Sequence, residues 1–196
     1  VGLFGGTFDP IHIGHLIVAE EAREQAALDK VVFVPCGNPP HKRSDSVSAG
    51  AIRLEMTRLA TRGNPGFEVS EFELSRDEAS FTVETVRHFG RELGKAAELF
   101  LIVGADSLLE MSAWKDPAKL LSECRPIVVS RPGFDLDRVE PWLRDRALMV
   151  ENVWVSVSST DIRARAAGGR SIRYLVPPPV LSYIVDNRLY IAASPA

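Results

Sequence analysis

Cysteine is scarce in this 196-residue chain, with only Cys36 and Cys124 present. Two thiols so far apart make neither a disulfide framework nor a Cys-x-x-Cys site, and reduced thiols are the simpler expectation. Basic residues do not predominate either. Lys and Arg number 23 against 26 Asp and Glu, a net charge of −3, and the pI is near 5.9. No electrostatic footprint for a nucleic-acid backbone exists, so no nucleic-acid partner is expected. There is no run of 18 apolar residues and no charged-then-apolar leader. Neither a membrane span nor an export signal is therefore expected, and the cytoplasm is the expected compartment. Hydrophobic residues at 45% and charged residues at 25% are ordinary globular proportions. The length suits one domain over residues 1–196.

What stands out is Gly5-Gly6-Thr7-Phe8-Asp9-Pro10-Ile11-His12-Ile13-Gly14-His15. It lies between an apolar run, Val1 to Phe4, and a segment, Leu16 to Leu28, whose apolar residues recur at helical spacing, so it reads as a strand-to-helix turn. Two glycines admit a phosphate close to the backbone, and the N–H groups and dipole of the following helix favour an anion. His12 and His15, three residues apart on the first turn, share one face and converge on the same bound group. The stretch fits neither a Walker loop nor a dinucleotide fingerprint. Zinc ligation by His-x-x-His is disfavoured, because a helix N-terminus repels cations and no third ligand lies near in sequence.

Val31 to Val34 reads as a fully buried strand ended by Pro35, which completes a βαβ unit with parallel strands. Pro39-Pro40-His41-Lys42 then leaves the carboxyl end of that strand, where ligands of open α/β sheets bind; otherwise it is a stiff surface loop with a basic tip. Ser48 to Thr61 has helical spacing, with Ile52, Met56, Leu59 and Ala60 inward and Arg53, Glu55 and Arg58 outward. Phe67 to Leu74 alternates apolar and polar residues as a half-buried strand whose acids face water. Ser80 is placed to cap a helix from Val83 to Leu93. Glu98 to Val103 is another buried strand, followed by Gly104-Ala105-Asp106-Ser107-Leu108 and Trp114; Asp106 could cap a helix and Trp114 could be a core anchor. Arg125 to Ser130 gives a fifth strand and Val153 to Val155 a short sixth, while Phe134 to Met149 is the least informative segment, with Trp142 and Trp154 read as packing. Val157-Ser158-Ser159-Thr160-Asp161-Ile162-Arg163 offers hydroxyls that can cap a helix or donate to phosphate, with Arg163 able to make charge-assisted bonds. Asp161, a like charge to such a ligand, is expected to point away. Val180 to Leu189 reads as a closing helix.

Gly-Gly-Thr-Phe-Asp-Pro-x-His-x-Gly-His together with Ser158-Ser159-Thr160-x-Ile-Arg163 resembles the two signatures of the nucleotidyltransferases related to class I aminoacyl-tRNA synthetases. Pro-Pro-His-Lys, Ser80-Phe81-Thr82 and Gly104-x-Asp106-Ser-Leu with Trp114 resemble bacterial nicotinate-nucleotide adenylyltransferases in particular. That resemblance, running from Gly5 to about Tyr190, implies a doubly wound, Rossmann-like parallel sheet with helices on both faces. It implies transfer of AMP from ATP to nicotinate mononucleotide, giving nicotinic acid adenine dinucleotide and pyrophosphate in NAD biosynthesis. Gly5, Gly6, Thr7, Phe8, His12, His15, Lys42, Arg131, Ser158, Ser159, Thr160 and Arg163 would then bind ATP and its phosphates, Arg131 in a loop near the adenine, with His12, His15, Lys42 and Arg163 acting in catalysis. Phe81, Thr82, Gly104, Asp106 and Trp114 would bind the mononucleotide, and Mg²⁺ would be held mainly by substrate phosphates and water, with no metal-ligating side chains. Phe81 stands where the family commonly has Tyr, so any role of that hydroxyl is lost. A phosphopantetheine adenylyltransferase shares the two signatures but gives no reason for the other motifs, and an idle nucleotide sensor gives no reason for both histidines and Arg163. Acid or amide mononucleotide as acceptor, and a possible homo-oligomer, stay open.

Overall fold

The computed structural model describes residues 1–37, 47–76, 79–94, 96–129, 139–151, 153 and 155–191. His41, Lys42, Arg131 and Trp154 lie outside the described residues. Six strands form one sheet in the order β3-β2-β1-β4-β5-β6, all neighbours parallel. They are β1 (Gly2–Gly6), β2 (Val31–Pro35), β3 (Phe67–Val69), β4 (Phe100–Gly104), β5 (Arg125–Val129) and β6 (Leu148–Val150). The order reverses between β1 and β4, and in open α/β sheets that crevice is where ligands bind.

Side chains alternate across the sheet. Phe4, Val31, Phe33, Phe100 and Ile102 face one core with α1 (Ile13–Gln25), α2 (Gly50–Thr61), α7 (Ser159–Ala167) and α8 (Pro178–Asp186). Leu3, Val32, Val34, Leu101 and Val103 face the other with α3 (Thr82–Leu93), α4 (Ala105–Glu110), α5 (Pro117–Glu123) and α6 (Pro141–Arg144). Burial on both faces is what makes the central strands near-continuous apolar runs.

Several expectations need correction. α1 begins at Ile13, one turn before Leu16. The strand at Phe67 stops after Val69 because Ser70 Oγ accepts from Phe72 N at 3.2 Å and bends the chain into a turn. Glu73 in that turn is 8% exposed rather than wet. Arg53, expected outward, is 3% exposed, because α2 buries its Arg53, Met56 and Thr57 edge. Ser80 does not cap α3; the cap position is Phe81 and carries no side-chain bond. The sixth strand of the sheet is Leu148–Val150; of the segment expected there, Val153 and Val155 lie in no strand and Trp154 is outside the described residues. Trp142 is 40% exposed, its indole N–H donating to Glu140, so it is not a packing residue.

Candidate active site

The turn after β1 leaves the switch point facing the crevice. A Cβ at Gly5 would meet nothing within 4 Å, whereas one at Gly6 would lie 2.6 Å from the Phe8 ring. Phe8 has a left-handed backbone (φ 49°) and a ring 2% exposed, set edge-on to His15 at 5.1 Å. Its side chain is therefore a core anchor, and only its backbone is available to a ligand. His12 sits at the N-cap of α1 with its ring stacked on that of His15, centroids 3.7 Å apart and 21° between planes. Gly14 permits this, since a Cβ there would stand 3.1 Å from His12 Nδ1. His12 N–H donates to His15 Nδ1 at 3.2 Å. In the neutral ring the proton of His15 therefore sits on Nε2, as a donor.

A set of distant groups holds the turn in shape. Asp9, 2% exposed, accepts from the Tyr190 hydroxyl at 2.6 Å on one oxygen and from Ser48 N at 3.0 Å on the other. Arg53 donates to the carbonyls of Thr7 (2.9 Å), Cys36 (2.8 Å) and Ser48 (2.9 Å). Arg163 Nη1 donates to Asp9 O at 2.7 Å, Ser159 Oγ to Pro10 O at 2.9 Å, and Ile13 N to Leu175 O at 3.0 Å. The sequence alone assigns no site role to Arg53, Asp9 or Tyr190. A signal for Arg53 existed in Thr57 and Thr61, whose hydroxyls share its helix edge and bond back into the helix.

Two hollows open at the switch point and share Phe4 and Gly104. One, of 430 Å³, is lined by His12, His15, Asp106, Val157, Ser158 and Ser159. The other, of 360 Å³, is lined by Gly5, Gly6, Thr7, Glu73, Thr82 and Trp114. Asp106 is thus brought to the histidines rather than beside Thr82 and Trp114, and it lies inside α4, whose cap is Gly104. Phe81 lines neither hollow; its ring lies 4.0 Å beneath Lys115 Nζ, which also bonds Glu84 at 2.8 Å. Ser158 caps α7 and its hydroxyl donates to the Asp161 carboxylate at 2.8 Å, and Asp161 is not among the residues that line the histidine hollow. Thr160 Oγ1 stands 3.5 Å from Arg163 Nη2. With the protons of Ser158 and Ser159 so engaged, and with Asp161 N on Ser158 Oγ and Ile162 N on Ser158 O, the first-turn N–H groups of α7 left for an anion are those of Ser159 and Thr160. A wider hollow of 570 Å³, by Glu98, Arg125 and Asp145, lies at the amino ends of β4 and β5, away from the glycine turns.

The profile of the cytidylyltransferase-like family matches residues 3–165. A Moorella thermoacetica protein named "Probable nicotinate-nucleotide adenylyltransferase" is 49% identical, over 97% of this chain and 91% of its own. The chain belongs to the nicotinate-nucleotide adenylyltransferases of the cytidylyltransferase-like family. An Exiguobacterium sibiricum protein of the same name is 48% identical over 97% of this chain and 98% of its own. The structure of Plasmodium falciparum nicotinic acid mononucleotide adenylyltransferase complexed with NaAD superposes with a TM-score of 0.77, at 20% identity and 96% coverage of both chains. At that identity the likeness is one of fold, and it extends to the whole α/β nucleotidyltransferase sheet.

For a nucleotidyltransferase the electrostatics of this crevice are informative. Burial lowers the His12 pKa to about 4, and burial with the neighbouring His12 ring holds His15 well below the ordinary histidine value. Both rings are therefore neutral near pH 7 before an anion arrives. His12 Nδ1 is buried without a hydrogen-bond partner among the described residues. Burial, then the bond to Asp9, raises the Tyr190 hydroxyl, which keeps it a donor. Among the described residues, no three His, Cys, Asp or Glu side chains are grouped to hold a metal, and no helix is long and apolar enough to cross a membrane.

Proposed function

We propose that this chain, acting as one nucleotidyltransferase domain, transfers AMP from ATP to nicotinate mononucleotide and releases pyrophosphate. The observation that carries the reading is the pair of hollows meeting at Phe4 and Gly104, one holding the stacked histidines and the other Thr82 and Trp114. ATP binds with its phosphates on the Gly5–Thr7 turn, His12, His15 and the first turn of α7 from Ser158 to Thr160. Arg163 holds the turn through Asp9 O and lends positive charge. Of two residues outside the described ones, Lys42 adds charge to the phosphates and Arg131 serves the adenine end of ATP. The mononucleotide lies with its pyridine ring on Trp114 and its carboxylate at the N-terminus of α3, at Thr82, where a helix end favours an anion. Gly104 admits the nucleotide between the hollows, Asp106 faces its hydroxyls, and Phe81 supports the helix end.

The reaction needs no protein nucleophile. An oxygen of the mononucleotide 5′-phosphate attacks the α-phosphorus of ATP in line, the new P–O bond forms as the bond to the β-phosphate oxygen breaks, and pyrophosphate leaves. His12 and His15 Nε2–H, aimed at the α-phosphoryl oxygens, stabilise the charge that gathers there. ATP enters as its magnesium complex. Each carboxylate oxygen of Asp9 accepts a hydrogen bond, from Tyr190 and from Ser48, and Mg²⁺ would be held mainly by substrate phosphates and water, as is usual for this ion at such sites. A cytoplasmic setting goes with this reading, and neither Cys36 nor Cys124 forms a disulfide.

Pyrophosphate release with ATP and each of nicotinate mononucleotide, nicotinamide mononucleotide and 4′-phosphopantetheine tests the proposal. Release is expected with the nicotinate form foremost. Release with phosphopantetheine and none with either pyridine nucleotide would overturn it.

A further inference from the structure

Glu73 is a carboxylate that the adenylyl-transfer chemistry does not use, 8% exposed and set in the turn after β3. Thr85 Oγ1, in the first turns of α3, donates to its Oε1 at 2.7 Å. Gly37 N, the first residue beyond Cys36 at the exit of β2, approaches its Oε2 at 3.4 Å. The backbones meet as well: a Cβ at Gly37 would stand 2.2 Å from Glu73 O and 3.1 Å from Ser80 Oγ. On the other side, Cys36 N donates to Gly6 O at 2.8 Å and Cys36 O accepts from Arg53 at 2.8 Å. A continuous set of bonds thus runs from the glycine turn through Cys36 and Gly37 to Glu73, and from Glu73 to α3.

We propose that Glu73 is the positioning residue that fixes the N-terminus of α3 relative to the phosphate turn, and so sets the span between the α-phosphoryl site and the pyridine end of the crevice. The inference rests on the adenylyl-transfer reading for its kinetic test. A buried acid is an unfavourable filler for a turn, since an apolar side chain would avoid the desolvation cost. What the carboxylate supplies is two acceptors in fixed relation, one for each flanking segment. Burial pushes its pKa up, against the opposing bonds from Thr85 and Gly37 and the nearby charge of Arg76. Thr82 stands three residues before Thr85 on the same helix and lines the same hollow as Glu73 and Trp114. Displacing α3 therefore shifts the place where the acceptor's carboxylate binds, and leaves the histidines untouched.

Glu73→Ala, Glu73→Gln and Gly37→Ala separate this role from simple packing. Glu73→Ala is expected to raise KM for nicotinate mononucleotide about tenfold or more while KM for ATP changes less than about twofold. Glu73→Gln keeps an acceptor for Thr85 but cannot serve Gly37 N–H with its amide NH₂, so its effect should be intermediate. Gly37→Ala forces the same two segments apart and should copy Glu73→Ala, and the double variant should be no worse than the more severe single one. In the free protein, hydrogen exchange at the Gly37 amide should quicken about tenfold in Glu73→Gln. Equal rises in both KM values, an unchanged mononucleotide KM in folded protein, or penalties that add in the double variant would overturn the proposal. Should Glu73→Ala fail to fold, Glu73→Gln and Gly37→Ala decide it alone. A wild-type protein inactive on the mononucleotide would sink the functional reading instead, with the exchange result still deciding the role of Glu73.

Discussion

The Tyr190 hydroxyl donates a 2.6 Å hydrogen bond to Oδ1 of Asp9, joining the segment after α8 to the turn that follows β1. The two residues are 181 positions apart, and the contact closes the protein around the glycine turn that follows β1. Removing one partner leaves a buried carboxylate oxygen short of a donor, a loss of about 1–3 kcal/mol. Tyr190→Phe should therefore lower stability by that amount in denaturant melts. It should also lower turnover several-fold, because Asp9 holds the backbone on which the histidines are mounted. Stability lost with turnover intact would limit the bond to the fold.

Arg53 acts at the same turn from the opposite side. Its guanidinium serves the carbonyls of Thr7, Cys36 and Ser48 at once, a task for a planar fork of donors that an ammonium cannot match. Arg53→Ala is expected to cost about 3–5 kcal/mol, in the range of broken buried polar networks. Arg53→Lys should recover less than half of that. Thermal and denaturant unfolding check both, and full recovery by Lys would show that charge alone matters.

These two residues also mark where the sequence stops being legible. Val31 to Val34 and Phe100 to Val103 announce themselves as strands because both of their faces are buried, and the histidines do so because Gly-Gly, Pro and two imidazoles crowd one turn. Leu148–Val150 hides because it is a three-residue edge strand whose Met149 is 36% exposed. Arg53 and Glu73 hide for another reason. A charged residue in a periodic pattern reads as solvent-facing, and here its burial is decided by carbonyls and amides of loops remote in sequence, Thr7 and Cys36 for one and Gly37 for the other. The hydroxyls of Ser158 and Ser159 are visible as a helix start, but their bonds to Asp161 and Pro10 belong to the tertiary fold.

The buried His12 gives a pH dependence with a definite sign. Its pKa is about 4 in the folded protein against 6.5 for an ordinary histidine. Between those values the unfolded chain binds a proton that the folded one refuses, so stability is full above about pH 6.5 and falls as pH drops towards 4, by up to about 3 kcal/mol from this group. His12→Asn should flatten that part of the profile in melts run from pH 4 to pH 7. Bound triphosphate favours the protonated ring, so ATP binding near pH 6 should take up protons, measurable by calorimetry in buffers of different ionisation enthalpy. Zero uptake would mean that the histidines meet the phosphates only as neutral donors.

Trp114 is half-buried, packed against the α3–α5 core yet lining the hollow that holds Thr82. If its ring is the platform for the pyridine, Trp114→Ala should raise KM for the mononucleotide about tenfold or more and KM for ATP far less, while Trp114→Phe recovers much of the loss. Equal changes in both constants would assign the ring to packing.

His15 carries the sharpest prediction, because its surroundings leave it one chemical task. Phe8 and Phe4 hold the ring edge-on, His12 stacks on one face, and His12 N–H occupies Nδ1. What remains is Nε2–H, a preoriented donor, and in the proposed reaction its value would grow as charge builds on the α-phosphoryl group. His15→Ala should lower kcat by two orders of magnitude or more, about 3 kcal/mol of transition-state stabilisation, with KM for ATP changed far less. His15→Asn, whose side-chain oxygen can still accept from His12 N–H, should keep the turn in shape without returning a donor to the Nε2 position. It should therefore melt near the wild-type temperature and remain slow. A His15→Asn enzyme with near-normal turnover would show that the donor lies elsewhere and that His15 serves the shape of the turn alone.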